Sequence, residues 1–365
     1  MYFSITERRT IKKEPMVLDF AKEAIANADK NSINFDELRA GKANIKVFGC
    51  GGAGCNTITW LFNKGINGAT IYGVNTDALH LSITKADEKV LIGKELTRGL
   101  GCGGYPQKGR EAAKESLSEL KRAAGGADMV FINVGLGGGT GTGAAPVIAQ
   151  LAKESGAVVI AVATMPFDCE KARQDKAEFG LQELTEVVDT AILIDNNRLV
   201  DIAGNLPMEQ AFAVANELVS TMIKGIVETI TLPSLINLDY ADVSAIMKNG
   251  DVAVIGVGES DTTARVDEAV RQALTHPLLD VDYKGATGAL IHITCGPDFK
   301  LEEFAGVGEL VTENISPDAQ VIIGARVNRE FANKVRVITI MTGVKSPYIM
   351  GRSIEERKVA SSKPQ

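Results

Sequence analysis

Gly135-Leu136-Gly137-Gly138-Gly139-Thr140-Gly141-Thr142-Gly143 is the stretch on which the reading of this chain turns. The apolar run Met129-Val130-Phe131-Ile132-Asn133-Val134 before it predicts a buried strand. Ala144-Ala145-Pro146-Val147-Ile148-Ala149-Gln150-Leu151 after it predicts a helix. A strand, a glycine run and a helix in that order make an anion site. Glycine permits positive φ and lets a ligand approach with no Cβ in the way. The helix N-terminus adds unpaired N–H groups and the positive end of the helix dipole. Thr140 and Thr142 add hydroxyls. Six glycines in nine residues exceed what an ordinary turn requires.

The same grammar repeats on either side. Ile45-Lys46-Val47-Phe48 predicts a strand, followed by Gly49-Cys50-Gly51-Gly52-Ala53-Gly54 and a helix from about Cys55 to Asn63. Further strands are predicted at 69–74, ending in Asn75-Thr76-Asp77, and at 89–92, 158–163 and 191–194. Helices are predicted at 108–124 and 173–186. This alternation implies a parallel sheet covered on both faces, with ligands at the carboxyl ends of its strands. The unusual loops, 49–54, 75–77, 99–106, 135–143 and 166–173, all fall at those ends and predict one shared mouth.

Residues 208–230 read as a long apolar helix, entered at Pro207 and followed by Pro233. Its length and apolarity predict burial between two domains. Strands at 251–258, 289–295, 319–325 and 335–342, with helices near 242–247, 265–274 and 301–313, predict a smaller α+β domain with a four-stranded sheet. The expected organisation is an N-terminal extension (1–44), a nucleotide domain (45–206), a central helix (207–232), a C-terminal α+β domain (233–345) and a tail (346–365).

The totals narrow the class. A net charge of −7 argues against broad nucleic-acid binding. The five cysteines form no C-x-x-C pair, which points to a reducing cytosol. No apolar run approaches the ~20 residues of a membrane span. No signal-peptide pattern opens the chain. The expectation is a cytoplasmic protein without direct membrane insertion. Cys50, Cys55, Cys102 and Cys169 lie beside the glycine loops and read as small, buryable side chains. His80, His276 and His292 stand isolated, without triad or ligand spacing, and read as structural.

Gly49 to Gly54 satisfies G-x-G-x-x-G between a strand and a helix, the dinucleotide fingerprint. Taken alone it supports an NAD-dependent oxidoreductase, with Asp77 as the ribose acid. The spacing to Asp77 is longer than the usual ~20 residues. One pyrophosphate needs one tight turn, whereas loops at 49–54, 101–104 and 137–143 suit a chain of two or three phosphates. A Walker loop is absent and no lysine follows a glycine run. Backbone N–H groups, helix dipoles and a metal are left to carry the phosphate charge.

From about Ile45 to Gly343 the motifs resemble the FtsZ branch of the tubulin superfamily, in archaeal wording. The resemblance rests on Gly137–Gly143, Gly49–Asn56, Asn75-Thr76-Asp77, Thr97-Arg98-Gly99-Leu100-Gly101, the run 235–243, and Gly285-Ala286-Thr287-Gly288-Ala289-Leu290. It implies a Rossmann-like GTPase domain that binds GTP or GDP with Mg²⁺, polymerises head to tail and forms the cytokinetic ring at mid-cell. It also implies membrane-anchoring adaptor proteins as partners and leaves room for co-assembly with a paralogue. A related GTPase that controls cell shape is the second family reading. By that similarity, Gly51, Gly52, Ala53 and Asn56 lie along the phosphates and ribose. Asn75 and Asp77 belong to the same site. Gly101, Cys102, Gly103 and Gly104 face the γ-phosphate, while Gly138, Gly139, Thr140, Gly141 and Thr142 hold the α and β phosphates. Glu170 and Arg173 meet the ribose; Asn196, Phe212 and Asn216 recognise guanine. The run Pro166-Phe167-Asp168-Cys169-Glu170-Lys171-Ala172-Arg173 is one residue shorter than the family pattern and lacks the glycine after its glutamate.

Asn237-Leu238-Asp239-Tyr240-Ala241-Asp242 supplies carboxylates three apart at a predicted helix start. In isolation that spacing reads as helix capping. The resemblance makes Asn237, Asp239 and Asp242 catalytic candidates, inserted into the nucleotide mouth of the next subunit.

Overall fold

The computed structural model describes residues 43–232, 234–236, 238–248, 251–275, 285–313 and 315–344. The expected extension except its last two residues, the expected tail, Pro233, Asn237 and His276 lie outside the described residues.

Six strands carry the first half: β1 (Ile45–Cys50), β2 (Ala69–Asn75), β3 (Glu88–Leu91), β4 (Met129–Gly135), β5 (Val158–Met165) and β6 (Thr190–Asp195). They lie in the order β3-β2-β1-β4-β5-β6, every neighbouring pair parallel. β1, β4, β5 and β6 are buried over nearly their whole length, as a parallel strand with Val, Ile, Ala and Phe on both faces requires. The chain moves outward from β1 to β2 and β3, then returns to lay β4 on the other side of β1. That reversal makes the β1/β4 boundary the switch point of the sheet, where a crevice opens beyond the strand ends.

The helices of this half are α1 (Gly51–Lys64), α2 (Ala78–Ile83), α3 (Lys94–Thr97), α4 (Pro106–Glu115), α5 (Leu117–Ala124), α6 (Thr140–Glu154), α7 (Lys171–Thr185), α8 (Asn196–Ala203) and the central α9 (Met208–Thr231). Ala112, Leu120, Ala145, Ile148 and Leu181 of α4 to α7 pack on one face against Val130, Ile132, Val159 and Ala161. Ile58 and Leu61 of α1, with Val219, Ile223 and Ile226 of α9, pack on the other against Val47, Phe131, Ile160 and Ile192. The helices after β1 and β4 thus leave to opposite faces, with their N-termini flanking the crevice.

The second half contains α10 (Tyr240–Lys248), β7 (Asp251–Ser260), α11 (Arg265–Leu274), β8 (Gly288–Cys295), α12 (Leu301–Thr312), β9 (Gln320–Val327) and β10 (Val335–Thr342). The four predicted strands pair in the order β7-β10-β8-β9. β7 also runs parallel beside β6 through Thr190↔Asp251, Ala191↔Val252 and Ile192↔Ala253, so all ten described strands share one sheet. The apolar stripe of α9 is buried against both halves, reaching Leu290, Ile338 and Ile340. Gly225 makes that approach possible, because a Cβ there would stand 2.3 Å from Ile338 Cδ1.

The predicted helix 108–124 divides at Ser116, whose ψ is 24° and whose hydroxyl accepts from the Gly93 N–H at 3.1 Å. The helices expected from Cys55 and Ala144 begin at Gly51 and Thr140, so each glycine loop turns directly into a first helical turn.

Candidate functional site

A cavity of about 1110 Å³ opens at the switch point. Its floor is the N-terminal turn of α1 (Gly51, Gly52, Ala53) beside Gly135 to Gly141, which leads into α6. Its walls are Thr164 to Phe167 after β5, Glu170 and Arg173, Asn196 after β6, and the first turns of α9. Two helix N-termini converging on one space give a positive potential without a lysine.

The glycines of the decisive run divide by what surrounds them. A Cβ at Gly143 would lie 1.9 Å from the Pro106 carbonyl oxygen, and at Gly141 2.9 Å from that of Cys50. At Gly139 it would lie 2.7 Å from Cys102 Cβ. Gly137 has φ +89° and would meet the Arg173 carbonyl oxygen at 2.7 Å. These four let backbones touch. Gly138 and Gly52 have nothing within 4 Å and face open space, the feature a cradle for a ligand requires.

The other predicted loops meet here as well. Thr76 Oγ1 lies 2.6 Å from Thr140 Oγ1 and 3.4 Å from Cys102 Sγ, which ties 75–77, 101–104 and 137–143 into one buried cluster. Asn75 Oδ1 accepts from the Thr76 and Asp77 N–H groups at 2.9 and 3.3 Å. Lys176 Nζ donates to the Gly104 carbonyl at 2.7 Å and ties the 101–104 loop to α7. Asn75, Asp77 and the 101–104 loop stand behind the lining instead of forming it. Thr142 points away: it is 1% exposed, its methyl fills the space beside Gly180, and its hydroxyl has no partner among the described residues.

The far end of the cavity suits a flat base. Phe212 meets Phe167 edge to face at 6.0 Å. Asn56, Asn196 and Asn216 also line the cavity. Arg173 donates to Glu170 at 2.5 Å on the rim. Trp60, His80 and Thr57 also line the cavity. The sequence offered no spacing that marks them. Trp60 Nε1 donates to Glu217 at 2.7 Å, and Lys64 binds the same carboxylate. Burial raises the Glu217 pKa, but the hydrogen bonds from Lys64 and Trp60 overcome it and hold the group below the usual range. Burial pushes the Cys50 thiol up strongly and Cys55 up to about 11, so both stay protonated and inert.

The acidic pair sits elsewhere. The Asp242 N–H donates to Asp239 Oδ1 at 2.8 Å, and the Asp239 N–H to Asp242 Oδ2 at 3.3 Å, a reciprocal cap at the start of α10. Adjacent Tyr240 donates its hydroxyl to the Asp128 carbonyl at 2.8 Å. Asp128 immediately precedes β4, whose other end, Gly135, lines the cavity. The pair therefore belongs to the amino edge of the sheet, about 20 Å from the cavity at ~3.3 Å per strand residue.

Comparison with known proteins agrees with this architecture. The tubulin/FtsZ family, GTPase domain, matches residues 44–204, and the FtsZ family, C-terminal domain, matches residues 251–345. "Cell division protein FtsZ 2" of Methanocaldococcus jannaschii is 51% identical over 94% of this chain and 91% of its own length. The chain belongs to the tubulin/FtsZ family. "Cell division protein FtsZ 1" of Pyrococcus furiosus is 55% identical over 84% of this chain and 83% of its own. A solved structure titled "FtsZ dimer, empty", from M. jannaschii, superposes with a TM-score of 0.79 at 49% identity, covering 90% of this chain and 92% of that one. Membership in the tubulin/FtsZ family, with its GTPase domain, implies guanine-nucleotide binding and removes the dinucleotide reading. Consistent with that, Asp77 does not wait for a ribose: its Oδ1 accepts from the His80 N–H at 2.9 Å and caps α2.

Proposed function

We propose that this GTPase completes its active sites between copies stacked head to tail, in filaments that form the ring of cell division. The observation that supports this most is the separation within one molecule: nucleotide cavity at the carboxyl edge of the sheet, Asp239 and Asp242 at the amino edge. A second copy in the same orientation brings its amino edge over the first copy's cavity, a heterologous contact that repeats into a filament.

In this reading the N–H groups of Gly138 to Gly141 and of the α1 turn hold the α and β phosphates, with Asn56 along the phosphates and ribose. The 101–104 loop faces the γ-phosphate, with Asn75 and Asp77 bracing it. Glu170 and Arg173 meet the ribose; Asn196, Phe212 and Asn216 hold guanine. Among the described residues no three His, Cys, Asp or Glu side chains converge on one point. Mg²⁺ therefore fits as an ion carried by the phosphates beside Thr140 and the 101–104 loop, where it would neutralise their charge. Asp239 and Asp242 of the neighbouring copy orient and polarise the attacking water, and Asn237 is the third catalytic candidate of that sequence run. The division role is supported by the names of the relatives. No described helix is long and apolar enough to cross a membrane. The family resemblance is the ground on which we assign membrane attachment to an adaptor protein. The most economical test is sedimentation with GTP, GDP or a slowly hydrolysed GTP analogue. Pelleting is expected with GTP and the analogue and not with GDP; protein that stays in the supernatant with all three contradicts the filament.

A further inference from the structure

Thr57 has one hydroxyl proton and two neighbours competing for it. Its Oγ1 lies 3.2 Å from the Ala53 carbonyl oxygen, one helical turn back, and 3.0 Å from the Oδ1 position of Asn216 on α9. A hydroxyl donates once and accepts through two lone pairs. If the proton goes to Asn216 Oδ1, the Ala53 contact is not a hydrogen bond. If it goes to Ala53, the hydroxyl oxygen is free to accept from Asn216, provided the amide is turned by 180° to present its NH₂. The two ends of an amide have the same shape, so the hydrogen-bond partners decide between them. The second arrangement makes two bonds where the first makes one, and it follows the i−4 back-bonding common to Thr in helices.

The choice matters because Thr57 and Asn216 both line the cavity. With its NH₂ held by Thr57, Asn216 turns its carbonyl oxygen toward the ligand. Guanine offers N1–H and N2–H₂ donors along that edge. Adenine offers there a bare N1 lone pair and a C–H. With the amide reversed, an NH₂ would face the base and favour the adenine N1 acceptor. We infer that Thr57 is a positioning residue for base selection: its hydroxyl locks the Asn216 amide with the oxygen toward the base, and so makes the site choose guanine. The inference rests on the reading of Asn216 as a guanine contact.

The test measures equilibrium binding of GDP and ADP, diphosphates that avoid turnover, with thermal melts to verify folding. Thr57→Val is expected to lower the ADP-to-GDP ratio of dissociation constants by about tenfold or more, through weaker GDP binding. Thr57→Ser, which keeps the hydroxyl, should retain the parent ratio. In an Asn216→Asp background, where the side chain is acceptor-only and needs no orienting, Thr57→Val should no longer change the ratio. Thr57→Val that weakens both nucleotides alike, or neither, overturns the role of Thr57. So does Thr57→Ser behaving as Thr57→Val. Asn216→Ala with the parent ratio would instead sink the base contact itself, and this inference with it. Loss of preference in Asn216→Ala but not in Thr57→Val sinks the positioning role alone.

Discussion

The two edges of the parallel sheet are built from opposite chemistry. At the carboxyl edge, backbone N–H groups, glycines and helix N-termini gather around a large cavity, with Arg173 and His80 in its lining. At the amino edge, Asp239 and Asp242 cap the start of α10. In the proposed reading the first edge holds the polyphosphate, with Glu170 of its lining assigned to the ribose. The second supplies the acidic pair that works on water at the γ end. Each lacks what the other has, and about 20 Å of strand separates them in one molecule.

The strongest way to break this contrast is to neutralise the acidic edge. Asp239→Asn and Asp242→Asn should each lower kcat by about 100-fold or more, the usual loss when a positioned acid or base is removed. GTP affinity should stay within about twofold, because neither residue touches the cavity of its own chain. Equal loss of binding and turnover would place the pair in the wrong role.

The carboxyl edge can be dissected through its glycines. Gly143→Ala should destabilise the fold by about 3 kcal/mol, since its Cβ would collide with the Pro106 carbonyl and the overlap involves backbone. Gly138→Ala should change stability by less than about 0.5 kcal/mol yet weaken GTP binding, because only the ligand would occupy that space. Chemical denaturation with paired nucleotide titration checks both halves. Identical behaviour of the two variants would remove the distinction between packing and cradle glycines.

A smaller effect separates the edges by acid. His292 on β8 is 4% exposed, and neither ring nitrogen has a partner among the described residues. Burial, and then the Arg326 charge, push its pKa down to about 4. The unfolded chain therefore binds this proton more tightly, so the contribution is intact above pH ~6.5 and is lost as pH falls toward 4. The loss should reach about 2 kcal/mol by pH 5. His292 pairs with Gly324, over which Leu238 packs, and Ile236 bridges to Ala325 on the same strand. Acid should thus loosen the support of the acidic loop, and hydrolysis should fail before GTP binding does. His292→Leu should flatten this acid limb in pH-dependent melts; an unchanged limb assigns it to other groups.

Much of this was legible in the sequence because parallel strands bury both faces and so appear as unbroken apolar runs. The buried parallel strands β1, β4, β5 and β6 followed from that signal, whereas β10, antiparallel to both neighbours, and the partly exposed β3 and β9 were read from apolar runs without it. The joining of β6 to β7 did not, since three residue pairs leave no periodicity to read. The short helices α2, α3 and α8 were missed for the same reason: each is too brief to show a 3.6-residue pattern. Within the site, the glycines announced the phosphate end. Trp60, His80 and Thr57 stayed silent because their roles come from the meeting of α1 with α2 and α9. The burial of the Thr142 side chain was not legible, since a run of alternating Gly and Thr does not say which hydroxyl faces inward.

The central claim is that one molecule alone cannot turn over GTP, and a dilution series tests it most directly. Steady-state hydrolysis per molecule should be near zero at low concentration, rise steeply through a threshold and then level off as filaments form. A rate per molecule that stays constant down to isolated monomers would show that each chain carries a complete active site, and the account would be wrong.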